Sequence, residues 1–412
     1  MDSSQRMVQP HNPKQSRVNP VISELPKLEG RQRVAILEFI CGGGLANTPL
    51  EEIPLSLQQE GRAMLWSLAS DWAQLPDWEV VVCWDSRFGE FAAPVTKIHS
   101  VDDRKPFMST WSQVACEVDF VLVIAPELDN CLKEVVEQLR ESGACLLNSD
   151  SNFLNAASDK WLTARSLRQA GVAHPETFLL GDSLKQQSFP VNSCLSSQRW
   201  TVKPRDGAGC QAVQRFESLA SVRSFAENSL GPSESWNRYI LQPWVDGTAG
   251  SVAILCGPTE TCVLPAMQQT IELDEQFVGA SVHHTGGIHH TGGIQHAGGI
   301  QYTGGKGPWH AIQPSIINDF AKRVLKALPG HPAGWIGIDF VLTELSRSSE
   351  SIVSIEINPR LTTSYLGLRE IVTENLADLI VRSAQGQSIY YGLSGHSITF
   401  NSLGKVLNTD VY

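Results

Sequence analysis

The chain has 412 residues, 42% hydrophobic and 18% charged, the balance of a globular protein with enough core for two or three domains. Its 32 basic and 43 acidic residues leave a net charge of −11, which argues against nucleic-acid or anionic-membrane partners while leaving room for a local basic pocket around one phosphorylated ligand. The longest apolar run, Val118 to Ala125, contains Asp119 and is strand-sized, far short of the roughly 18 residues a membrane span needs.

Residues 1–30 are polar, carry four prolines and lack an apolar signal segment, so they read as a disordered leader on a cytoplasmic protein. The nine cysteines include no CxxC pair and lie mostly in apolar segments, as expected of free thiols in a reducing compartment.

The first folded element is the β-rich run Arg33 to Ile40, which ends in Cys41-Gly-Gly-Gly44. A helix is expected from about Leu57 to Leu75, with Met64, Leu65, Leu68 and Trp72 at helical spacing, followed by strands at Trp78–Trp84 and Asp119–Ile124 and a helix over Leu128–Ser142. This alternation predicts a parallel-sheet α/β domain over residues 31–150. Beyond it the pattern changes to α+β. Helices are expected at Asp159–Ala170, Ser218–Ser229 and Ser315–Leu328, and strands at Thr177–Leu180, Arg199–Lys203, Tyr239–Trp244, Ser251–Cys256, Trp335–Leu342 and Ile352–Asn358.

Residues 283–306 repeat a hexad: HHTGGI, HHTGGI, QHAGGI, QYTGGK. Paired glycines every six residues oppose a helix and favour turns, so the tract is expected to be a mobile surface loop over the site. Its five histidines (His283, His284, His289, His290, His296) invite a metal reading, but no cysteine or carboxylate accompanies them in the repeats.

Four clusters carry chemistry. Lys160 stands at the start of a helix, where an ammonium and free backbone N–H groups can meet a phosphate. Lys203 lies on the strand face opposite Trp200 and Val202, and Gly207 and Gly209 after it allow a close backbone approach; a plain turn fits that segment equally well. Tyr239 to Gly247 is a strand running into a linker, suited either to a flat heterocycle or to a hinge alone. In Ser354-Ile-Glu-Ile-Asn358 the residues Ser354, Glu356 and Asn358 are expected on one face, and Asp339 stands on a preceding strand against an apolar face. Oxygen donors of this kind suit Mg²⁺ with bound phosphates.

Taken in order, Lys160, Lys203 with its glycines, the Gln242–Val245 linker, Asp339 and Glu356-Ile-Asn-Pro-Arg360 resemble the ATP-grasp ligase superfamily over roughly residues 33–380. The strings Leu37–Gly44 (LEFICGGG), Val123–Glu127 (VIAPE) and Glu356–Leu368 (EINPRLTTSYLGL) are similar to the tyramine–L-glutamate ligases of methanofuran biosynthesis. The resemblance implies α/β and α+β architecture: a Rossmann-like preATP-grasp domain (31–150), a lid subdomain (151–248), a C-terminal subdomain (249–390) and a tail (391–412). It implies ATP as cofactor, with Mg²⁺, or Mn²⁺ as an alternative, on Asp339, Glu356 and Asn358. Lys160, Lys203, Gly207 and Gly209 would face the phosphates, and Gln242, Trp244 and Val245 the adenine. Asp246 would serve the ribose in place of the glutamate that Ala249 replaces, Arg360 would steady the transferring phosphate, and Glu60 would hold a substrate amine. The implied function is carboxylate–amine ligation through an acyl phosphate, with glutamate and an aromatic amine such as tyramine or tyrosine as small-molecule partners, and with a homodimer as the assembly allowed for. Alternatives are an ATP-grasp amino-acid or peptide ligase with other substrates and a nucleotide-binding regulatory protein without turnover.

Overall fold

Val34, Ala35, Ile36 and Leu37 are shielded from solvent on both faces of the first strand, which therefore lies inside a covered parallel sheet. The structure, a computed structural model, describes residues 30–185, 199–207, 212–274, 280–283, 287–290, 298–343 and 351–411. Strand β1 (Gln32–Glu38), helix α1 (Leu55–Ala73), β2 (Trp78–Asp85), β3 (Lys97–Val101), α2 (Phe107–Cys116), β4 (Phe120–Ile124) and α3 (Cys131–Glu141) build a four-stranded parallel sheet of order β3-β2-β1-β4. The segment Lys97–Val101 and helix α2 are absent from the sequence reading, because Lys-Ile-His-Ser-Val is mostly polar and half exposed at the sheet edge. The helix expected from Leu128 begins instead at Cys131, after a 3₁₀ turn.

Two short helices follow, α4 (Ser151–Ser158) and α5 (Lys160–Gln169), the second capped by Asp159, which accepts from the N–H groups of Trp161 and Leu162. Next come β5 (Phe178–Leu179), α6 (Leu180–Lys185), β6 (Trp200–Pro204), β7 (Gln214–Phe216), α7 (Leu219–Ser229) and β8 (Tyr239–Pro243). Leu180, Val202, Phe216, Val222 and Leu241 form a small core of their own beneath these strands. The remaining elements are β9 (Thr248–Cys256), β10 (Thr261–Val263), β11 (Met267–Asp274), β12 (Ala280–His283), β13 (Gly287–His290), β14 (Gly298–Gly307), α8 (Pro314–Ala327), β15 (Gly334–Leu342), β16 (Ile352–Asn358), α9 (Ser364–Ile371), α10 (Leu376–Ala384), β17 (His396–Asn401) and β18 (Val406–Val411).

The second sheet has twelve strands, along the path β16-β15-β9-β11-β14-β7-β6-β8-β5, with β10 on β9 and β17–β18 on β14. Helices α9 and α10 share one core with the parallel sheet, and Asp71 of α1 ties them together. Its carboxylate accepts from the Tyr365 hydroxyl (2.7 Å) and from the guanidinium of Arg369 (2.5 and 2.9 Å), so the tie is buried and charge-assisted. Among the described residues no helix is long and apolar enough to cross a membrane.

The expectation of a loop over residues 283–306 needs correction at its C-terminal end. Gly298–Gly307 is a strand inside the large sheet, hydrogen-bonded to β11, β7 and β17. The glycines permit this by omission of side chains. At Gly304 (φ +153) a Cβ would stand 2.1 Å from the Phe400 carbonyl oxygen, and at Gly307 it would stand 2.3 Å from Met267 Sδ. Nearer the start of the tract, Ala280–His283, which only reaches its first residue, pairs antiparallel with Gly287–His290, and residues 284–286 and 291–297 lie outside the described residues, as do the side chains of the tract's histidines.

Candidate active site

Strands β15 and β16 set Asp339 opposite Glu356 and Gly337 opposite Asn358. Asn358 Nδ2 donates to Asp339 Oδ2 (3.0 Å), and Gln269 Nε2, from β11, donates to Asp339 Oδ1 (2.8 Å). Burial and the neighbouring Glu356 carboxylate push the Asp339 carboxyl up to about 7, against these two hydrogen bonds. A β-bulge then changes the phase: Phe340 pairs with Ser354, so Ile355 is the extra residue. Glu356 and Asn358 therefore share the face of Asp339, but Ser354 does not. Ser354 is 1% exposed, while Ile355 borders the cavity, so strict alternation across residues 354–358 fails here.

Opposite these oxygens stand the cations. Lys160 is the first residue of α5, and its backbone N–H donates to the Arg205 carbonyl (2.8 Å). Its ammonium reaches Glu356 Oε1 (3.0 Å) and the Gly207 carbonyl (2.9 Å) and is buried. Gly207 has φ +117, which a glycine adopts without strain, and Gly209 lies outside the described residues. Lys203 of β6, also buried, borders the cavity, while Trp200 and Val202 pack into the local core on the other face. Arg360 follows β16, with Nε donating to Glu127 Oε1 (2.9 Å) and Nη1 to the Leu361 carbonyl (3.1 Å).

Lys203, Arg360, Asp339, Glu356 and Asn358 border one cavity of about 500 Å³, within the size range of small-molecule sites, and Lys160 adjoins it through Glu356. Gln242, Trp244 and Val245 line its far side. Gln242 is buried and donates through Nε2 to Thr177 Oγ1 (2.8 Å), and the Trp244 N–H bonds the Arg199 carbonyl (2.9 Å). Asp246, the expected ribose partner, is instead 71% exposed, is paired with Arg199 (2.5 Å) and Trp244 Nε1 (3.2 Å), and stands off the cavity wall.

Glu60 of α1 borders the opposite end of the cavity. Burial raises its carboxyl pKa and the positive charge of Arg360 lowers it. Two further carboxylates, to which sequence reasoning gave no role, converge here. Glu38 ends β1, accepts from the Cys41 N–H (2.6 Å) and is pushed up to about 7 by burial. Glu127 follows β4 and holds Arg360. A usable signal existed: both lie at the carboxyl ends of adjacent parallel strands, where open α/β sheets place their ligands.

Among the described residues no three histidine, cysteine, aspartate or glutamate side chains are grouped to hold a metal. Two carboxylates and an amide are instead the donor set for a cation that brings phosphate oxygens with it. The thiols play no part in such chemistry: Cys83 is pushed up to about 12 by burial, and Cys41, Cys131 and Cys256 are raised further for the same reason.

Residues 157–364 match the ATP-grasp domain and residues 78–152 the pre ATP-grasp 3 domain. The chain belongs to the ATP-grasp family. It is similar to the tyramine–L-glutamate ligase of Methanocaldococcus fervens, at 24% identity over 286 residues, covering 69% of this chain and 72% of the relative. The corresponding ligase of Methanocaldococcus jannaschii is 22% identical over 285 residues, covering 69% and 68%. In fold it resembles an ATP-grasp superfamily protein from Archaeoglobus fulgidus (TM-score 0.57, 20% identity, 90% of this chain and 92% of the other). It also resembles N5-carboxyaminoimidazole synthetase from Staphylococcus aureus complexed with ADP (TM-score 0.59, 12% identity, 91% and 83%).

Proposed function

We propose that the chain is an ATP-dependent carboxylate–amine ligase that joins glutamate to an aromatic amine such as tyramine through an acyl phosphate. The observation that carries this reading is the cavity on which Lys203 and Arg360 face Asp339, Glu356 and Asn358, with Lys160 paired to Glu356 behind it. A carboxylate oxygen attacks the γ-phosphorus of ATP, the bond to the β-phosphate oxygen breaks, and ADP leaves. The amine nitrogen then attacks the acyl carbon, phosphate departs with the electrons of the C–O bond, and the nitrogen loses a proton. Charge accumulates on phosphate oxygens in both steps, so fixed cations supply most of the acceleration and no side-chain nucleophile is needed.

In this reading Lys160 and Lys203 hold ATP phosphates, and Gln242, Trp244 and Val245 receive the adenine. Arg360 steadies the transferring phosphoryl group, and Glu60 holds the ammonium of a substrate. Asp339, Glu356 and Asn358 would hold Mg²⁺, which neutralises phosphate charge when bound. Its fit is supported by the Asp339 carboxyl, raised to about 7 by burial and then by Glu356, because a divalent cation offsets both. The names of the two Methanocaldococcus relatives support glutamate and tyramine as substrates. The test is ADP release from MgATP across a panel of amino acids and amines. Release that requires both glutamate and an aromatic amine, with an amide product by mass, supports the reading; release with neither, or with a different pair only, refutes these substrates.

A further inference from the structure

Arg360 and Glu127 lie 233 positions apart, on the large sheet and at the end of the parallel sheet respectively, yet they meet at 2.9 Å inside the protein. Glu127 is 2% exposed and Arg360 9%. Burying such a pair is costly, and an apolar pair of similar volume generally serves packing as well or better. The hydrogen bonds suggest what the pair does instead. With Nε on Glu127 and Nη1 on the Leu361 carbonyl, the guanidinium plane is fixed at two points, leaving its remaining nitrogen for the cavity that Arg360 borders.

Four other carboxylates lie near the guanidinium, Asp339 among them. Glu60 and Glu356 both act on its charge, and Glu38 lies close enough to feel it. Without a fixed partner, a flexible arginine among several acids would have alternative ion pairs to adopt. We propose that Glu127 is a positioning residue for the phosphoryl-transfer step, holding Arg360 in the orientation that faces the transferring phosphate. The preATP-grasp sheet thus contributes to the chemistry of the ATP-grasp site through this contact. The inference rests on the ligase reading above.

The test is a double-mutant cycle of Glu127→Gln and Arg360→Lys in the full chain, read as kcat, KM for ATP and thermal midpoint. Glutamine nearly preserves volume and can still accept a hydrogen bond, but it lacks the charge that holds the guanidinium. Glu127→Gln is expected to lower kcat about 100-fold, the scale of a misplaced catalytic group, with KM for ATP near native; its thermal midpoint should fall, because the buried guanidinium loses its charged partner, so kcat is measured well below that midpoint. In the Arg360→Lys background the same change should cost little more, because the group it positions is already gone. Glu127→Asp should recover part of kcat.

Native kcat in Glu127→Gln, or an equal fold-loss in both backgrounds, overturns the proposal. If Glu127→Gln does not fold, Glu127→Asp takes its place in the cycle under the same criteria. The ligase reading is tested separately by the unmodified chain. If that chain releases no ADP with any acid and amine, the ligase reading fails, and the role of Glu127 is read from trapping of ADP with aluminium fluoride. Trapping lost equally in the Glu127→Gln and Arg360→Lys variants then supports positioning, and undiminished trapping in Glu127→Gln overturns it.

Discussion

The ammonium of Lys160 lies 3.0 Å from Glu356 Oε1, joining the first residue of a helix to the edge strand β16 of the large sheet. Both side chains are largely buried, so each neutralises the other, and Lys160 adds a bond to the Gly207 carbonyl. Among the described residues no cation is ion-paired with Asp339 on the neighbouring strand; amide groups hold it instead. The two carboxylates therefore stand in different electrostatic settings although they share one proposed role.

That difference separates two variants. Glu356→Gln and Asp339→Asn should each lower turnover by orders of magnitude, because each removes a charged donor to the proposed Mg²⁺. Only Glu356→Gln should also destabilise the fold, by about 3 kcal/mol, since it leaves the Lys160 ammonium buried without its partner. Urea unfolding measured beside ADP release checks both. Comparable stability losses in the two variants would contradict the pairing described here.

Lys203→Ala should weaken ATP binding about tenfold or more, because a buried positive charge at the proposed phosphate site is lost. Isothermal titration calorimetry reads this directly. Unchanged affinity would place Lys203 outside the nucleotide site.

Glu38 predicts a pH dependence of stability. Its carboxyl pKa rises from an ordinary 4.5 to about 7 in the fold, chiefly through burial, so the folded state binds this proton more tightly than the unfolded chain does. The stability conferred by the proton is fully present below pH 4.5 and is lost as the pH climbs through 7. Glu38→Gln cannot ionise and should be more stable than the native chain at pH 8, by up to about 3 kcal/mol, with the advantage vanishing near pH 4.5. Denaturant midpoints of both proteins across that range provide the comparison; a less stable variant at pH 8 would show that the carboxylate is favoured in the fold.

Gly304→Val should destabilise the protein by several kcal/mol, because its side chain would overlap the backbone of β17 at Phe400. A deletion reaching past Gly298 should act similarly, since it removes a strand paired on both sides. Thermal unfolding reads both. A native midpoint in Gly304→Val would mean that β14 does not pair with β17 in solution.

The sequence made the parallel sheet legible because buried runs such as Val34–Leu37 and Phe120–Ile124 are almost wholly apolar. Lys160, Lys203, Asp339, Glu356, Asn358 and Arg360 could be singled out because motif order survives in one dimension. The structure brings all six to one cavity wall or its immediate contacts. Less accessible were relations that exist only after folding. Glu127 has no local signal linking it to Arg360, and the bulge at Ile355 breaks an alternation that the letters suggest. Asp246 was a reasonable polar candidate by position, but its side chain turns to Arg199, a contact that proximity in the chain could not reveal. The glycine pairs misled for a physical reason: missing side chains favour turns in isolation, yet they also admit close neighbours on a crowded sheet.

The strand at Gly298–Gly307 draws its residues from a unit of six, an even number. Successive residues of a strand face opposite sides, so inserting or deleting one whole unit keeps each glycine of a pair on the side it occupied before. A five- or seven-residue unit would exchange the two faces with each change in copy number. Duplication errors in this stretch of coding sequence thus come in the one kind of step that a paired strand can absorb without turning itself over.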